Sequence, residues 1–584
     1  MNSLGKPAIL FVICMFCTSE LIHSQENAVS NADQASVKTH VSQIEGLIKK
    51  YQEYNQFNGA VLVAENDEVI LRQGFGMANM EWEIPIKPDT KFRIGSVTKQ
   101  FTAALILQLV EDGKVKLDEP MTSYLADYRK DTGDKVTVHQ LLNHTSGIPS
   151  YTTASFFAND SKTSYEVDEF VKKFCSGDLE FEPGAEMRYN NSGYHLLGAI
   201  IEKVTGKTYA ETLEEKILQP IGMSNSGFDT SETILKNRAS GYRITPEGFQ
   251  NAAYLDMGIP YAAGSMYSTV DDLFKWHQAL YDNTVLSDAS KALMFKPGKQ
   301  EYGYGVFIQD REVGDETLKI IQHGGGINGF NCLFTRVVDQ KHLVVILDNI
   351  GAGNHHSKMT QAVVNILNDQ PFENAKKPLG PIINKLALGD SAAAIAKYRS
   401  LKQKFADTYD FKDEGHLNAL GYELLSLDKT KDAIEIFKLN VEMFPESANP
   451  YDSLGEAFLK DEQKELALEN YKKSLELDPA NMGAAQAIKV IEGKAEKVDP
   501  TVLESYIGEY ELGPGFIVVI TVEDGFLKGQ PTGQEKITLA PIGKDKFFVA
   551  AVKATVTFEH DEDDKVKGLI LDQEGQIVPA KKIK

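Results

Sequence analysis

Ser96 and Lys99, in Phe92-Arg93-Ile94-Gly95-Ser96-Val97-Thr98-Lys99, set a hydroxyl and an amine three residues apart at the head of a helix-like run. Phe101, Leu105 and Leu109 repeat behind them at i, i+4 and i+8, the spacing of one helical face. A three-residue step puts both side chains on one face, close enough to share a proton. Free backbone N–H groups at a helix N-terminus favour negative charge developing at Ser96. The chemistry that suits these types is nucleophilic: a serine attacks once a base has taken its proton. Lysine is a poor base at its ordinary pKa of ~10.4, since only about 0.04% is neutral at pH 7. Lowering that pKa to ~7 needs roughly 4.6 kcal/mol of differential interaction, so the site requires desolvation and partners. The tetrapeptide alone is weak evidence. It occurs three times, at Ser3/Lys6, Ser96/Lys99 and Ser426/Lys429, and context must choose.

Two other segments offer partners. In Tyr189-Asn190-Asn191, the Tyr189 phenol suits a phenolate or proton relay, and the Asn191 amide can hold Lys99 and a substrate carbonyl. Asn191 equally fits the cap of a helix starting near Gly193. His323-Gly324-Gly325-Gly326 is expected between two strands. Its glycines let backbone approach a substrate closely, and an N–H there can complete an oxyanion hole with that of Ser96. His323 either touches substrate or orients strands. His144, in the turn Asn143-His144-Thr145-Ser146-Gly147, reads as a structural histidine bonded to loop backbone. Residues 324–329 also spell G-x-G-x-x-G, but a strand-like stretch follows where a dinucleotide site needs a helix. No G-x-S-x-G, H-E-x-x-H or paired C-x-x-C occurs, so neither metal nor cofactor is expected.

In order along the chain come Phe92 to Ala103, Leu141-Leu142-Asn143-His144-Thr145-Ser146-Gly147-Ile148-Pro149, Tyr189/Asn191 with Leu196-Leu197-Gly198, Pro220-Ile221-Gly222-Met223, Ala263-Gly264-Ser265-Met266 and His323-Gly324-Gly325. This ordered set, from about 45 to 360, resembles the serine β-lactamase and penicillin-recognising family. The likeness is to its class C-like branch of β-lactamases, DD-peptidases, D-aminopeptidases and esterases. The resemblance implies that Ser96 is the acylated nucleophile and Lys99 its base. It also implies that Tyr189 assists proton transfer and activates the deacylating water, and that Asn191 orients the acyl amide. Gly325 and His323 would border the substrate, and the N–H groups of Ser96 and Gly326 would form the oxyanion hole. β-Lactamases of this branch usually carry Lys where this chain has His323. A permanent cation suits a penicillin carboxylate better than a mostly neutral imidazole does. The expected activity is therefore a peptidase or esterase, cleaving a D-amino-acid peptide or small acyl ester, rather than an efficient β-lactamase.

The elements that must position these residues are legible more coarsely. Residues 40–365 mix helices with strands at 59–71 (two, joined by the Asn66-Asp67 turn), 302–308, 318–322, 330–338 and 342–348. An α+β domain follows, its terminal segments sharing an antiparallel sheet beside a helical cluster. From 380 to 495 the chain turns Ala-, Lys-, Leu- and Glu-rich. Leu420-Gly421, Ala433, Phe437 and Pro445 recur 34 residues later as Leu454-Gly455, Ala467, Tyr471 and Pro479, a period resembling tetratricopeptide repeats. Such repeats could serve a protein partner, the rival reading being a binding module on a weakly active hydrolase scaffold. Residues 499–584 read as a small antiparallel β domain. Residues 1–24, with Lys6 before the apolar run 8–17, read as a secretory signal, so the product is expected to be secreted or periplasmic, without a transmembrane segment in the mature chain. Cys175 and Cys332 then remain, either paired or as two buried thiols. A net charge of −22 argues against nucleic acid as a partner and leaves a small-molecule or peptide substrate.

Overall fold

The computed structural model describes residues 35–584 apart from 246–247, 352–354, 495–497, 514–515, 524–525, 533–535, 550–553, 562 and 574–575. The leader-like segment at 1–24 lies outside the described residues. The chain forms two compact units, the first reaching to Ala375 without Thr153–Ser155, the second made of Lys376–Lys584 with Thr153–Ser155.

The first unit is built on one antiparallel sheet. Strands β1 (Gly59–Glu65) and β2 (Glu68–Phe75) turn at Asn66 and Asp67, both at positive φ, as a tight hairpin demands. Strands β3 (Phe307–Val313), β4 (Glu316–Ile327), β5 (Phe330–Val337) and β6 (His342–Asp348) form a meander. β6 pairs with β1, Gly59 opposite Asp348 and Ala64 opposite Leu343, giving the order β3-β4-β5-β6-β1-β2. The two ends of the unit thus share the sheet, as the α+β reading expects.

The period-2 alternation of a strand serves both faces. Val61 and Val63 pack with Ile44, Leu47 and Ile48 of α1 (residues 35–53) and with Met359 and Val363 of α4 (His355–Leu367). Ala60, Leu62 and Ala64 face the larger core around α2 (Thr98–Glu111) and α3 (Asn191–Thr205). α2 is buried along nearly its whole length, which is why its sequence is apolar or uncharged except for Lys99 and Glu111 at its C-terminal end.

Three expectations shift. The strand read at 302–308 starts only at Phe307, because the chain turns at Gly303 and Gly305 to pack on α2. Gly305 has φ +73°, and a Cβ there would lie 2.6 Å from the Lys99 carbonyl oxygen. His323 to Gly326 lie inside β4, not between strands, with Gly324 opposite Leu333 and Gly325 opposite Cys332. The glycines remain in the ladder because bulk is barred there: a Cβ on Gly325 would sit 2.0 Å from the Ile94 oxygen. The cap of α3 is Asn190, whose Oδ1 accepts from Gly193 N–H at 2.7 Å, so Asn191 is released from that duty. Cys175 and Cys332 are buried free thiols.

The second unit begins with helices α5 (Gly380–Ala387), α6 (Ser391–Phe405), α7 (Glu414–Ser426), α8 (Thr430–Met443), α9 (Ala448–Lys460), α10 (Lys464–Leu477) and α11 (Met482–Ile491). Gly421 of α7 meets the Phe437 ring of α8, and Gly455 of α9 meets the Tyr471 ring of α10, so the same close contact recurs one period on. Eight antiparallel strands from Gly508–Gly513 to Gln576–Lys582 close into a barrel. Tyr506, Tyr510, Phe547 and Phe558 pack together in its core. Gln486 of α11 donates to the Pro541 carbonyl at 3.2 Å, tying helices to barrel within the unit. Among the described residues no helix is long and apolar enough to cross a membrane.

Two outcomes follow from this packing. Gly325→Ala should lose at least about 1–3 kcal/mol of stability through overpacking against Ile94, seen as a lowered thermal midpoint. Acid should also weaken the first unit. The Arg336 guanidinium donates to His277 Nδ1 at 3.3 Å, and Asn66 N–H donates to His342 Nδ1 at 3.1 Å, so each ring must keep a lone pair there. Burial holds their pKa values down, to about 3 and about 4. The unfolded chain binds protons on both below pH ~6.5, so stability falls as pH drops from there, by roughly 2 kcal/mol per imidazole at pH 5. A thermal midpoint unchanged between pH 7 and 4.5 would contradict this.

Candidate active site

Ser96 sits in a single 3₁₀ turn, Gly95–Val97, that runs directly into α2. Gly95 takes φ +49°, and its α-carbon faces Gly326 so closely that a Cβ would come within 3.0 Å of the Gly326 nitrogen. One turn on, Lys99 is fully buried. Its Nζ lies 3.1 Å from Ser96 Oγ, 2.8 Å from Asn191 Oδ1 and 2.9 Å from the Ala263 carbonyl oxygen. Among the described residues no carboxylate pairs with it, and burial drives its pKa well below the usual lysine range.

The three contacts determine where the amine's electrons point. A carbonyl and an amide oxygen can only accept, so Ala263 and Asn191 take the two hydrogens of a neutral amine. The remaining position is a lone pair directed at Ser96 Oγ, which then donates its proton to nitrogen. Geometry and burial together leave a neutral Lys99 amine able to accept a proton from the Ser96 hydroxyl. The rings of Tyr189 and Tyr194 lie 4.9 and 5.4 Å from Nζ, where their faces would soften a positive charge once the proton has moved.

Tyr189 shows part of its ring to solvent, while its hydroxyl lies against Ser96. Burial of that end pushes the phenol pKa up, outweighing the Ser96 hydrogen bond, so Tyr189 is a neutral donor at rest rather than a phenolate. Asn190 fixes it from below. Its backbone N–H donates to His144 Nδ1 at 3.1 Å, and its side chain bonds both Gly193 N–H and the Ile148 carbonyl. His144 itself packs 4.3 Å from the Tyr189 ring and 4.6 Å from that of Tyr302, and burial keeps it neutral. It is the structural histidine that its turn suggested.

His323 is committed to the protein at both ends. Its Nδ1 lies 2.6 Å from the Gly324 carbonyl and must donate there, which leaves Nε2 to accept from the Tyr302 hydroxyl at 3.1 Å. The ring is buried, and burial together with the nearby Lys99 pushes its pKa down to about 3. It therefore offers a substrate no cation. Gly326, by contrast, shares a cavity wall with Gly95, Ser96 and Asn191. Ser96, Lys99, Tyr189, Asn191 and Gly326 converge, then, while His323 lies with its ring 6.0 Å from that of Tyr189 and, like Gly325, is not on the cavity wall.

Sequence reasoning missed Ala263, Tyr302 and Tyr194. The Ala263 contact is a backbone carbonyl, which leaves no trace in residue type. Tyr302 was hidden in a stretch read as strand. Tyr194 donates its hydroxyl to the Leu142 carbonyl at 2.7 Å, also meets Tyr302 there, and turns a ring face to Lys99 Nζ. Among the described residues no group of three or more His, Cys, Asp or Glu could hold a metal ion.

Known proteins are similar to this chain over somewhat more than half its length. Penicillin-binding protein 4* of Bacillus subtilis is 31% identical over 359 residues, covering 57% of this chain and 78% of that protein. A teichoic acid D-alanine hydrolase of Staphylococcus aureus is 28% identical over 336 residues, covering 56% and 79%. The crystal structure of D-amino acid amidase from Ochrobactrum anthropi SV3 complexed with D-phenylalanine superposes with a TM-score of 0.48 at 28% identity, over 57% of this chain and 98% of that one. Residues 492–580 match a domain of unknown function, DUF3471. The β-lactamase family model matches residues 44–367, a span that holds the whole Ser96–Lys99–Tyr189–Asn191–Gly326 constellation, and the chain belongs to that family.

Proposed function

We propose that this serine hydrolase cleaves an amide or ester bond through an acyl-enzyme on Ser96. The observation that carries the reading is the buried, carboxylate-free Lys99 amine with Ser96 Oγ at its third position. Ser96 Oγ attacks the substrate carbonyl carbon as its proton passes to Lys99 Nζ. The N–H groups of Ser96 and Gly326 receive the oxyanion. Tyr189 gives its proton to the leaving nitrogen or oxygen and takes one back from Lys99, and the bond to the leaving group breaks. Water, activated by Tyr189, then adds to the acyl carbon and the proton transfers reverse. Asn191 orients the acyl group.

The names of the relatives, a penicillin-binding protein and a teichoic acid D-alanine hydrolase, support D-amino-acid peptides or acyl esters as the substrate class. A neutral, internally bonded His323 supports peptidase or esterase action over efficient β-lactam hydrolysis. We further read 1–24 as a cleaved export signal, 40–365 as the hydrolase domain, 380–495 as tetratricopeptide-like repeats and 499–584 as a separate β domain. The recurring glycine-to-ring contact at Gly421 and Gly455 supports the repeat reading and the rival role of a peptide- or protein-binding module.

Ser96→Ala should lower kcat/KM on p-nitrophenyl esters by at least about 10³-fold and abolish labelling by a fluorophosphonate. Unchanged turnover would end the proposal. Lys99→Met, of similar shape but with no base, should lose kcat by a comparable factor, read by single-turnover acylation. Because Lys99 is held well below the ordinary lysine pKa, wild-type kcat/KM should rise as that amine loses its proton and level off short of pH 10. A rate still climbing with the unperturbed lysine titration would show that Lys99 is not the base.

A further inference from the structure

The cavity that opens on Ser96 has a volume of about 120 Å³. Asn191 and Gly326 stand at its reactive end, and Tyr151, Phe157, Leu255, Ile259, Pro260 and Ile327 form its apolar wall. Among the described residues no charged side chain lines it. Its polar side chains are already engaged: the Tyr151 hydroxyl donates to the Ile259 carbonyl at 3.4 Å, Thr152 shares a hydrogen bond with Ser150 at 2.8 Å, and Asn328 Nδ2 donates to the Ala253 carbonyl at 2.9 Å. A carboxylate placed against this apolar wall would lose water and find no cation among the lining side chains, with only the Asn191 amide as a neutral side-chain donor beside Ser96.

Resting on the acyl-enzyme reading above, we propose that this cavity binds the acyl half of the substrate and selects an uncharged isobutyl- to phenyl-sized group. The side is set by proton traffic. The leaving group must face Tyr189, which protonates it, and Tyr189 is not on the cavity wall. The group that stays on Ser96 therefore points the other way, past Asn191 and into the cavity. Size follows from volume, since an apolar cavity of about 150 Å³ admits benzene. An acetyl group would leave most of the space empty, and each added carbon removes apolar surface from water. The net charge of −22 adds a general bias against anionic acyl groups.

The test uses the full-length protein with p-nitrophenyl acetate, butyrate, isovalerate, phenylacetate and hemisuccinate, each rate divided by its hydroxide-catalysed rate. Isovalerate and phenylacetate should exceed acetate in kcat/KM by about 10-fold or more, and hemisuccinate should fall below butyrate by about 10-fold. Leu255→Trp, which fills the cavity, should bring the isovalerate-to-acetate ratio towards one. Leu255→Ala, which widens it, should raise the phenylacetate-to-isovalerate ratio, so the proposal stands on opposite shifts even where one variant folds poorly. Turnover with a flat profile, or with hemisuccinate equal to butyrate, would overturn the cavity assignment alone. No turnover of any ester, with no acyl adduct on Ser96 by mass spectrometry, would overturn the hydrolase reading itself.

Discussion

An amine has been placed where its charged form is out of equilibrium with its surroundings, and the site depends on that. Removing an unpaired ammonium from water costs several kcal/mol even after relaxation. A carboxylate near Lys99 would offset this and keep the proton on nitrogen. Instead the neighbours are two neutral oxygens, a hydroxyl and two phenol rings, none of which matches a full positive charge. Burial therefore favours the neutral amine, while the rings and acceptors would soften the charge of a returning proton. A base of the kind proposed for Ser96 needs both properties, and burial among neutral groups can supply them together.

That arrangement requires four distant segments to meet at one nitrogen. The turn Gly95–Val97 brings Ser96, α2 brings Lys99 itself, the start of α3 brings Asn191, the 261–263 turn brings a carbonyl, and β4 closes the rim. Their approach is limited by backbone rather than by side chains. Gly95 against Gly326, Gly325 against the Ile94 carbonyl and Gly305 against the Lys99 carbonyl are contacts with no room for a methyl group. Arg93, one residue before Ile94, bonds the buried Asp229 at 2.7 Å, and Asp229 N–H donates to the Ser265 carbonyl at 2.7 Å. One ion pair thereby ties the nucleophile's strand to the segment that carries Ala263. Strand β4 can be this close only because the glycine run is held in a ladder with the bulkier β5.

How much of this was legible depends on whether a role resides in a residue's type or in its backbone. Ser96, Lys99, Tyr189 and Asn191 meet through their side chains, and type and order along the chain single them out. The hairpin at Asn66-Asp67 and the shared sheet were legible for the same reason, since turn chemistry and period-2 alternation are local. The 34-residue recurrence is likewise a property of type. What stayed hidden was geometric. Asn190 and Asn191 are the same residue type side by side, and only the helix phase decides that the first caps α3 while the second faces Lys99. The Ala263 carbonyl is invisible because every residue has one. The turn at Gly303 and Gly305 reads as strand until its contact with α2 is known.

His323 shows how a neighbour outside the motif can reassign a motif residue. From its position in the run it is open to substrate or to structure, and its own type cannot choose. Tyr302, drawn in by the unforeseen turn, donates to Nε2, and the Gly324 carbonyl takes the proton on Nδ1. A ring satisfied on both sides is held in one tautomer and cannot turn towards a ligand without breaking two buried hydrogen bonds, each costly to leave unmade. A lysine here would bring a mobile cation; this histidine brings a buried ring held by two hydrogen bonds beside Tyr189. The absence of charge at His323 and along the apolar cavity therefore has one physical source. Burial disfavours the charged forms of Lys99, Tyr189 and His323 alike, and no charged side chain among the described residues lines the cavity beside Ser96.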